Sequence, residues 1–133
     1  NALASAVGIS VINELQEQKL PEKVRATGAY LSERLEKIKE KYGVIREIRG
    51  KGILRGIELV QDSKTFKPFP EDNKLGLALK KTAIKNGIIM RINPDWFAVA
   101  PPLISEKSDI DEMCDLIENS LVDAIELVNK KIK

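Results

Sequence analysis

Apolar residues recur at helical spacing through the first part of the chain. A first series fades by Gln18 and consists of small and aliphatic residues: Ala2, Ala4, Ala6, Val7, Val11, Ile12 and Leu15. A second series restarts at Leu20-Pro21 and stops at Gly43: Val24, Gly28, Leu31, Leu35, Ile38 and Tyr42. The spacing predicts two successive helices. Because the first series already runs at Asn1, the pattern also predicts that Asn1 is a cut end.

Two pairs of β-rich runs interrupt the helical spacing. Val44–Arg49 and Ile53–Val60 are joined by Gly-Lys-Gly, whose glycines allow positive φ, so these runs predict a hairpin. Ile88–Ile92 and Trp96–Ala100 flank Asn93-Pro94-Asp95, whose residue types favour a tight reversal. The sequence therefore predicts a second hairpin.

A proline-containing segment and a short helix separate the two hairpins. Residues 61–71 predict an irregular surface connection, in which Phe66 and Phe69 act as aromatic pins. Asp72 can cap the helix that follows, and Asn86-Gly87 can close it. One face of this helix is apolar and carries Leu75, Leu79, Ala83 and Ile84.

A long helix ends the chain. Pro101-Pro102 fixes an extended segment where strand pairing should cease. Ser105 or Ser108 can cap the helix, the latter with Asp111 in an arrangement like a capping box. Its apolar positions are Ile110, Met113, Ile117, Leu121, Ala124, Ile125, Val128 and Ile132. The basic tail, Lys130–Lys133, suits the negative end of the helix dipole better than a nucleic-acid arm.

The order of these elements predicts the fold class. The predicted order is helix, helix, strand, strand, helix, strand, strand, helix. This order indicates an α+β fold over residues 1–133, which we take as a single domain. We expect a small, mostly antiparallel sheet of about four strands, covered by helices on one face. A chain of 133 residues is long enough to bury a core. Such an order leaves the function open.

Composition excludes several kinds of chemistry. The chain has no histidine, which excludes Ser-His-Asp and Cys-His catalysis and most transition-metal sites. Cys114, the single cysteine, lies in an apolar helical pattern and is expected to be a packed thiol. A net charge of +2 is too small to indicate nucleic-acid binding. No run is long enough to cross a bilayer and no secretory pattern is seen, so we expect a cytoplasmic protein.

Arginines on the predicted strands are the candidate binding groups. Arg91 lies inside the first run of the second hairpin, where its guanidinium needs a ligand anion, a structural carboxylate or solvent. Arg49 and Arg55 can also face a ligand, although paired or exposed arginines are commoner on strands. Gly50-Lys51-Gly52 can be interpreted as a phosphate loop, but such loops lead into a helix, and this one leads into a strand.

Three blocks in order along the chain indicate a family. They are Arg49–Leu59, Asn86–Arg91, and Ala100–Ser105 followed by Asp109–Asp111. Together they resemble the C-terminal small domain of the class III pyridoxal-phosphate-dependent aminotransferases, in particular the omega-amino acid:pyruvate branch. The resemblance covers essentially the whole chain. Asn1–Ala6 also looks like the small-residue helix that follows a Gly-His-Pro signature in this family.

The resemblance implies an activity for a larger protein. Such an enzyme moves an amino group from an amine or omega-amino acid to a keto acid such as pyruvate, with pyridoxal 5'-phosphate as cofactor, and works as a homodimer. In this family the cofactor lies in a large N-terminal domain that this chain lacks. We therefore expect the fragment to be inactive alone, and assign no residue in it as catalytic, cofactor-binding or metal-binding.

The resemblance also implies a role for Arg91. It falls where similar enzymes carry a mobile arginine that pairs with the substrate carboxylate, so this fragment is expected to contribute carboxylate recognition and interdomain packing. The chain departs from the family at Ile92–Trp96, where smaller residues around the turn are common, and this leaves the substrate range open. The alternative interpretation is a free-standing α+β binding or regulatory module that contacts a protein, a small anion or RNA.

Overall fold

The computed structural model describes residues 1–132, with side chains as far as Lys130. Within this range the elements follow in the predicted order: α1 (Ala2–Glu17), α2 (Leu20–Tyr42), β1 (Ile45–Lys51), β2 (Leu54–Leu59), α3 (Leu75–Lys85), β3 (Arg91–Asn93), β4 (Trp96–Val99) and α4 (Lys107–Ile132). A short 3-10 helix, Glu71–Asn73, precedes α3. We predicted that the basic tail, Lys130–Lys133, suits the helix dipole. Apart from Lys130, these residues lie outside the part of the chain whose side chains are described.

The four strands form one antiparallel sheet in the order β1-β2-β4-β3. Its inner face is buried and carries Ile45, Ile57, Leu59, Phe97 and Val99. Glu58, Trp96 and Ala98 alternate with these residues and lie on the outer face. The predicted α+β class, with a small sheet covered by helices on one face, is confirmed.

The core lies between the inner face and helices α2, α3 and α4. Its fully buried helical residues include Leu31, Leu35, Leu75, Leu79, Ile110, Ile117 and Leu121. Cys114 belongs to the same cluster, and burial raises the pKa of its thiol to about 11. The thiol is therefore protonated at neutral pH, which agrees with the predicted packed role.

Two predicted apolar contacts are wrong. Ile84 is 65% exposed, because it lies one position beyond the buried stripe that ends at Ala83. Phe66 is 56% exposed and has a φ of 56°, and the guanidinium of Arg46 lies 4.9 Å from the centre of its ring. Phe69 is buried, as predicted for an aromatic pin.

Helices α1 and α3 begin differently from the prediction. Asn1 lies outside α1 and caps it, because its side-chain oxygen accepts hydrogen bonds from the backbone N–H groups of Leu3 and Ala4 at 3.1 and 3.4 Å. Asp72 does not cap α3. It lies within the 3-10 turn, and Lys74 occupies the position before the helix without a side-chain cap.

Helix α4 also uses a different carboxylate at its start. Asp109 accepts a hydrogen bond from the backbone N–H of Glu106 at 2.8 Å, in place of the predicted arrangement of Ser108 with Asp111. Asp111 instead pairs with Arg34, and the hydroxyl of Tyr30 donates to it at 2.6 Å. The carboxylate that the pattern assigned to a cap therefore joins α4 to α2.

Helix α1 is set apart by its exposure. None of its residues is buried, and Leu3, Val7, Ile9, Val11 and Ile12 are each more than half exposed.

Among residues 1–132, no helix combines the length and apolarity needed to span a membrane.

The first hairpin is tighter than predicted and packs closely on α2. Lys51 pairs with Leu54, so the turn is Gly52-Ile53 rather than Gly50-Lys51-Gly52. A Cβ placed on Gly28 of α2 would overlap the carbonyl oxygen of Gly52. Only glycine allows this close approach.

We predict that Gly28→Ala destabilises the fold by about 1–3 kcal/mol, because the added methyl forces α2 away from the hairpin backbone. Gly8→Ala is the matched control, since Gly8 also lies in a helix and a Cβ there would meet nothing within 4 Å. This control is expected to be neutral or to stabilise by up to about 1 kcal/mol. Denaturant unfolding of both variants measures the difference, and equal free-energy changes would contradict the close approach.

Candidate functional site

Arg91 opens β3 and projects from the outer face of the sheet. Its Cα pairs with Ala98, while Asn93 pairs with Trp96. Because paired residues share a face, Arg91, Ala98 and Trp96 lie together, and Phe97 points into the core. Arg91 is exposed. Its stem therefore carries the guanidinium towards solvent.

Strand β3 is shorter than the predicted Ile88–Ile92. Continuing the register from Arg91 and Ala98 would place Ile88 opposite Pro101. Pairing ends at Arg91, and Pro101 has no N–H with which the ladder could extend as far as Ile88. Ile88 packs into the core instead, and Ile89 is 92% exposed.

The turn of this hairpin is held from both sides. It consists of Pro94-Asp95, two residues instead of the predicted three. The backbone N–H of Gly76 in α3 donates to the carbonyl of Pro94 at 3.0 Å, and that of Leu59 in β2 donates to the carbonyl of Asp95 at 2.8 Å. A Cβ on Gly76 would overlap the carbonyl oxygen of Asn93. The backbone that carries Arg91 is thus fixed.

Lys74 adds an ion pair to this support. Its side chain is only 7% exposed, and its Nζ lies 2.9 Å from Asp95 and 3.0 Å from Glu71. Hydrogen bonds with Asp95 and then Glu71 raise the pKa of Lys74 and keep it charged. Sequence reasoning missed this residue, because a lysine before an amphipathic helix carries no distinguishing signal.

The carboxylates around the hairpin are already engaged. Glu58, which pairs with Trp96 across the sheet, lies 3.2 Å from both Arg46 and Arg49. Asp95 is held by Lys74. Among the residues described, no acidic oxygen lies within the 4.0 Å ion-pair distance of the Arg91 guanidinium.

The guanidinium of Arg91 instead stands over an aromatic ring. Its Cζ lies 5.5 Å from the centre of the Trp96 indole, within the range of a cation–π contact. In the described part of the chain, Arg91 therefore has an aromatic neighbour and no structural carboxylate.

Arg49 and Arg55, the other candidate strand arginines, have internal partners. Arg49 lies 3.3 Å from Glu47 as well as close to Glu58. Arg55 donates to the carbonyls of Gly50 and Gly28 at 2.6 and 3.1 Å. Both arginines are used within the fold, as the commoner interpretation predicted.

An open groove of about 830 Å³ lies beside Arg91. Its walls are mainly apolar and include Leu54, Met90, Trp96, Pro101 and Met113. Asp109 also lines this Arg91 groove, and its carboxylate accepts the Glu106 N–H. The groove thus combines apolar walls with one guanidinium and one carboxylate, and the available guanidinium suits an apolar molecule bearing a carboxylate.

Comparison with known proteins identifies relatives for nearly the whole chain. A family model described as aminotransferase class-III matches residues 1–121. The putrescine–pyruvate aminotransferase of Pseudomonas aeruginosa is 35% identical over 120 residues, which are 90% of this chain and 26% of that protein. The leucine/methionine racemase of Thermococcus litoralis is 34% identical, covering 95% of this chain and 28% of that protein.

A solved structure shares both fold and sequence. The (S)-enantioselective omega-transaminase from Thermomicrobium roseum superposes with a TM-score of 0.82 at 33% identity, over 90% of this chain and 26% of that one. The chain spans about a quarter of the length of the curated relatives it matches. Because one relative is a racemase, family membership alone does not fix the reaction.

We predict that Lys74→Met loosens the second hairpin, because methionine keeps the packed stem but removes the pair with Asp95. The unfolding midpoint is expected to fall, and the backbone amides of Gly76 and Leu59 to exchange hydrogen faster. Lys80→Met, at an exposed lysine within α3, is the control and should change neither the midpoint nor the exchange. Unchanged exchange at both amides in Lys74→Met would show that the ion pair does not support the turn.

Proposed function

Since the chain belongs to the class III aminotransferase family, whose members are pyridoxal-phosphate enzymes, we propose that residues 1–133 form the C-terminal small domain of a larger aminotransferase. The whole enzyme transfers an amino group from an amine or omega-amino acid to a keto acid such as pyruvate. The name of the putrescine–pyruvate relative supports this pairing of substrates. The comparisons give no support to a free-standing binding or regulatory module.

The residues of this chain do not fit a pyridoxal-phosphate site. A lysine that attacks the cofactor aldehyde must lose its proton, which a lowered pKa favours. Lys74, the lysine that the structure buries among the described residues, is paired with two carboxylates, and its pKa is raised. We therefore assign the cofactor to another part of the enzyme and expect this domain to be inactive alone.

Arg91 is the residue we assign to substrate recognition. A planar guanidinium binds a carboxylate through two parallel, charge-assisted hydrogen bonds. The nearby carboxylates Glu58 and Asp95 are neutralised by other cations, so neither competes with a substrate for Arg91. This neutralisation is the observation that supports the proposal most directly.

The two classes of substrate place opposite demands on this site. A keto acid or amino acid presents a carboxylate, which Arg91 can hold while the apolar groove walls contact the rest of the molecule. A simple amine presents none, and burial of an unpaired guanidinium beside it would be costly. The flexible stem of Arg91 and its exposed position allow the guanidinium to withdraw in that case.

We assign the exposed apolar face of α1 to packing against the rest of the enzyme. Leu3, Val7 and Val11, spaced four residues apart on that face, would otherwise leave a large apolar area in water. Following the family resemblance, we place the enzyme in the cytoplasm as a homodimer that acts on small amines and keto acids. The net charge of +2 gives no reason to add a nucleic-acid partner, and we assign no membrane partner.

In the complete enzyme, Arg91→Ala is expected to raise KM for carboxylate-bearing substrates by about 10-fold to 100-fold, because charge-assisted hydrogen bonds of about 1.5–3 kcal/mol are lost. Simple amines should stay within about twofold of the parent enzyme, because they make no such bonds. Steady-state kinetics with pairs of substrates that differ in the carboxylate measures this difference in KM.

Arg49→Ala is the control, since Arg49 lies on the same sheet but has carboxylate partners. Its effect, if any, should be the same for both substrate classes. Equal losses for both classes in Arg91→Ala would remove the assignment of Arg91.

A further inference from the structure

We propose that Trp96 is the resting partner of the Arg91 guanidinium and thereby sets how readily the enzyme engages a carboxylate. The proposal rests on the proposed role of Arg91 in binding the substrate carboxylate. It makes Trp96 a positioning residue that acts through Arg91. It also locates this selectivity in the segment Ile92–Trp96, where the chain departs from the family pattern.

The sheet register brings the two side chains together. Arg91 pairs with Ala98 and Asn93 pairs with Trp96, so Arg91 and Trp96 are diagonal neighbours on the outer face. Diagonal neighbours lie within reach of long and aromatic side chains. Ala98, directly opposite Arg91, is small enough to let the guanidinium lean across towards the indole, where it stands 5.5 Å from the ring centre.

The two partners differ in mobility. Trp96 is paired on both sides, with Glu58 of β2 and Asn93 of β3, and its side chain is part of the groove wall. Arg91 lies on the edge strand, and its long stem has several rotatable bonds. The backbone of Trp96 is therefore held on both sides, and the guanidinium on its longer stem is the group with more freedom to move.

The contact between Arg91 and Trp96 affects which class of substrate the site binds more readily. A carboxylate must draw the guanidinium away from the indole, whereas a simple amine leaves it there. The guanidinium position over the indole therefore favours simple amines, and the position away from it favours carboxylate-bearing substrates. A cation–π contact at a partly exposed site changes such an equilibrium by about twofold to fivefold, and apparent affinity changes by the same factor.

The test is Trp96→Leu in the complete enzyme, which keeps an apolar side chain and removes the aromatic face. KM for a carboxylate-bearing substrate is expected to fall by about twofold to fivefold, and KM for a simple amine to rise by less than about twofold. Trp96→Phe keeps an aromatic face and should keep the ratio of KM between the two substrate classes within about twofold of the parent enzyme. An unchanged or raised KM for the carboxylate substrate in Trp96→Leu would overturn the proposal.

The same substitution in an Arg91→Ala background separates this role from a structural one. Without a guanidinium, Trp96→Leu should no longer change the ratio of KM between carboxylate-bearing and simple amine substrates, because the lost groove contact then affects both classes alike. If Arg91→Ala alone affects carboxylate and amine substrates equally, the proposed function of Arg91 fails. If Arg91→Ala is selective but Trp96→Leu acts equally in both backgrounds, only the role of Trp96 fails.

A spectroscopic measurement needs no destabilising variant. Trp96 is the single tryptophan of this sequence, and its emission can be isolated in the complete enzyme by difference against Trp96→Phe. Saturation with propionate should shift this emission as the guanidinium leaves the ring, and propylamine should not shift it. In Arg91→Ala the propionate shift should vanish. No shift with propionate, or an equal shift in Arg91→Ala, would contradict the resting contact.

Discussion

The site depends on how the fold distributes its ion pairs. Glu58 is shared by Arg46 and Arg49, and Asp95 is held by Lys74. Because these nearby carboxylates are engaged, Arg91 remains a cation without an internal counterion in the described part of the chain. A guanidinium in that state binds a carboxylate more readily than one that must first leave a structural partner.

The second constraint is that the site combines a fixed backbone with a movable end group. Gly76 and Leu59 donate backbone hydrogen bonds to the turn, which anchor the hairpin to α3 and to β2. The freedom that remains belongs to the Arg91 side chain. A rigid frame that carries one flexible charged group can bind two substrate classes without rearranging its core.

Periodicity predicted the order and class of the elements and the presence of Arg91 on the second hairpin, because these depend on local patterns. It did not predict the register. A turn of three residues would have paired Arg91 with Phe97 and directed it towards the core, whereas the two-residue turn places it beside Trp96. The roles of Lys74 and Asp111 also depend on distant partners, which no local pattern reveals.

We propose that Arg91 is the available cation for the substrate carboxylate. The most direct measurement is a crystal structure of the complete enzyme with a bound unreactive carboxylate such as propionate. We expect both carboxylate oxygens at about 2.7–2.9 Å from the Arg91 guanidinium, which has left the Trp96 ring. A carboxylate held by another cation, with Arg91 still over Trp96, would contradict it.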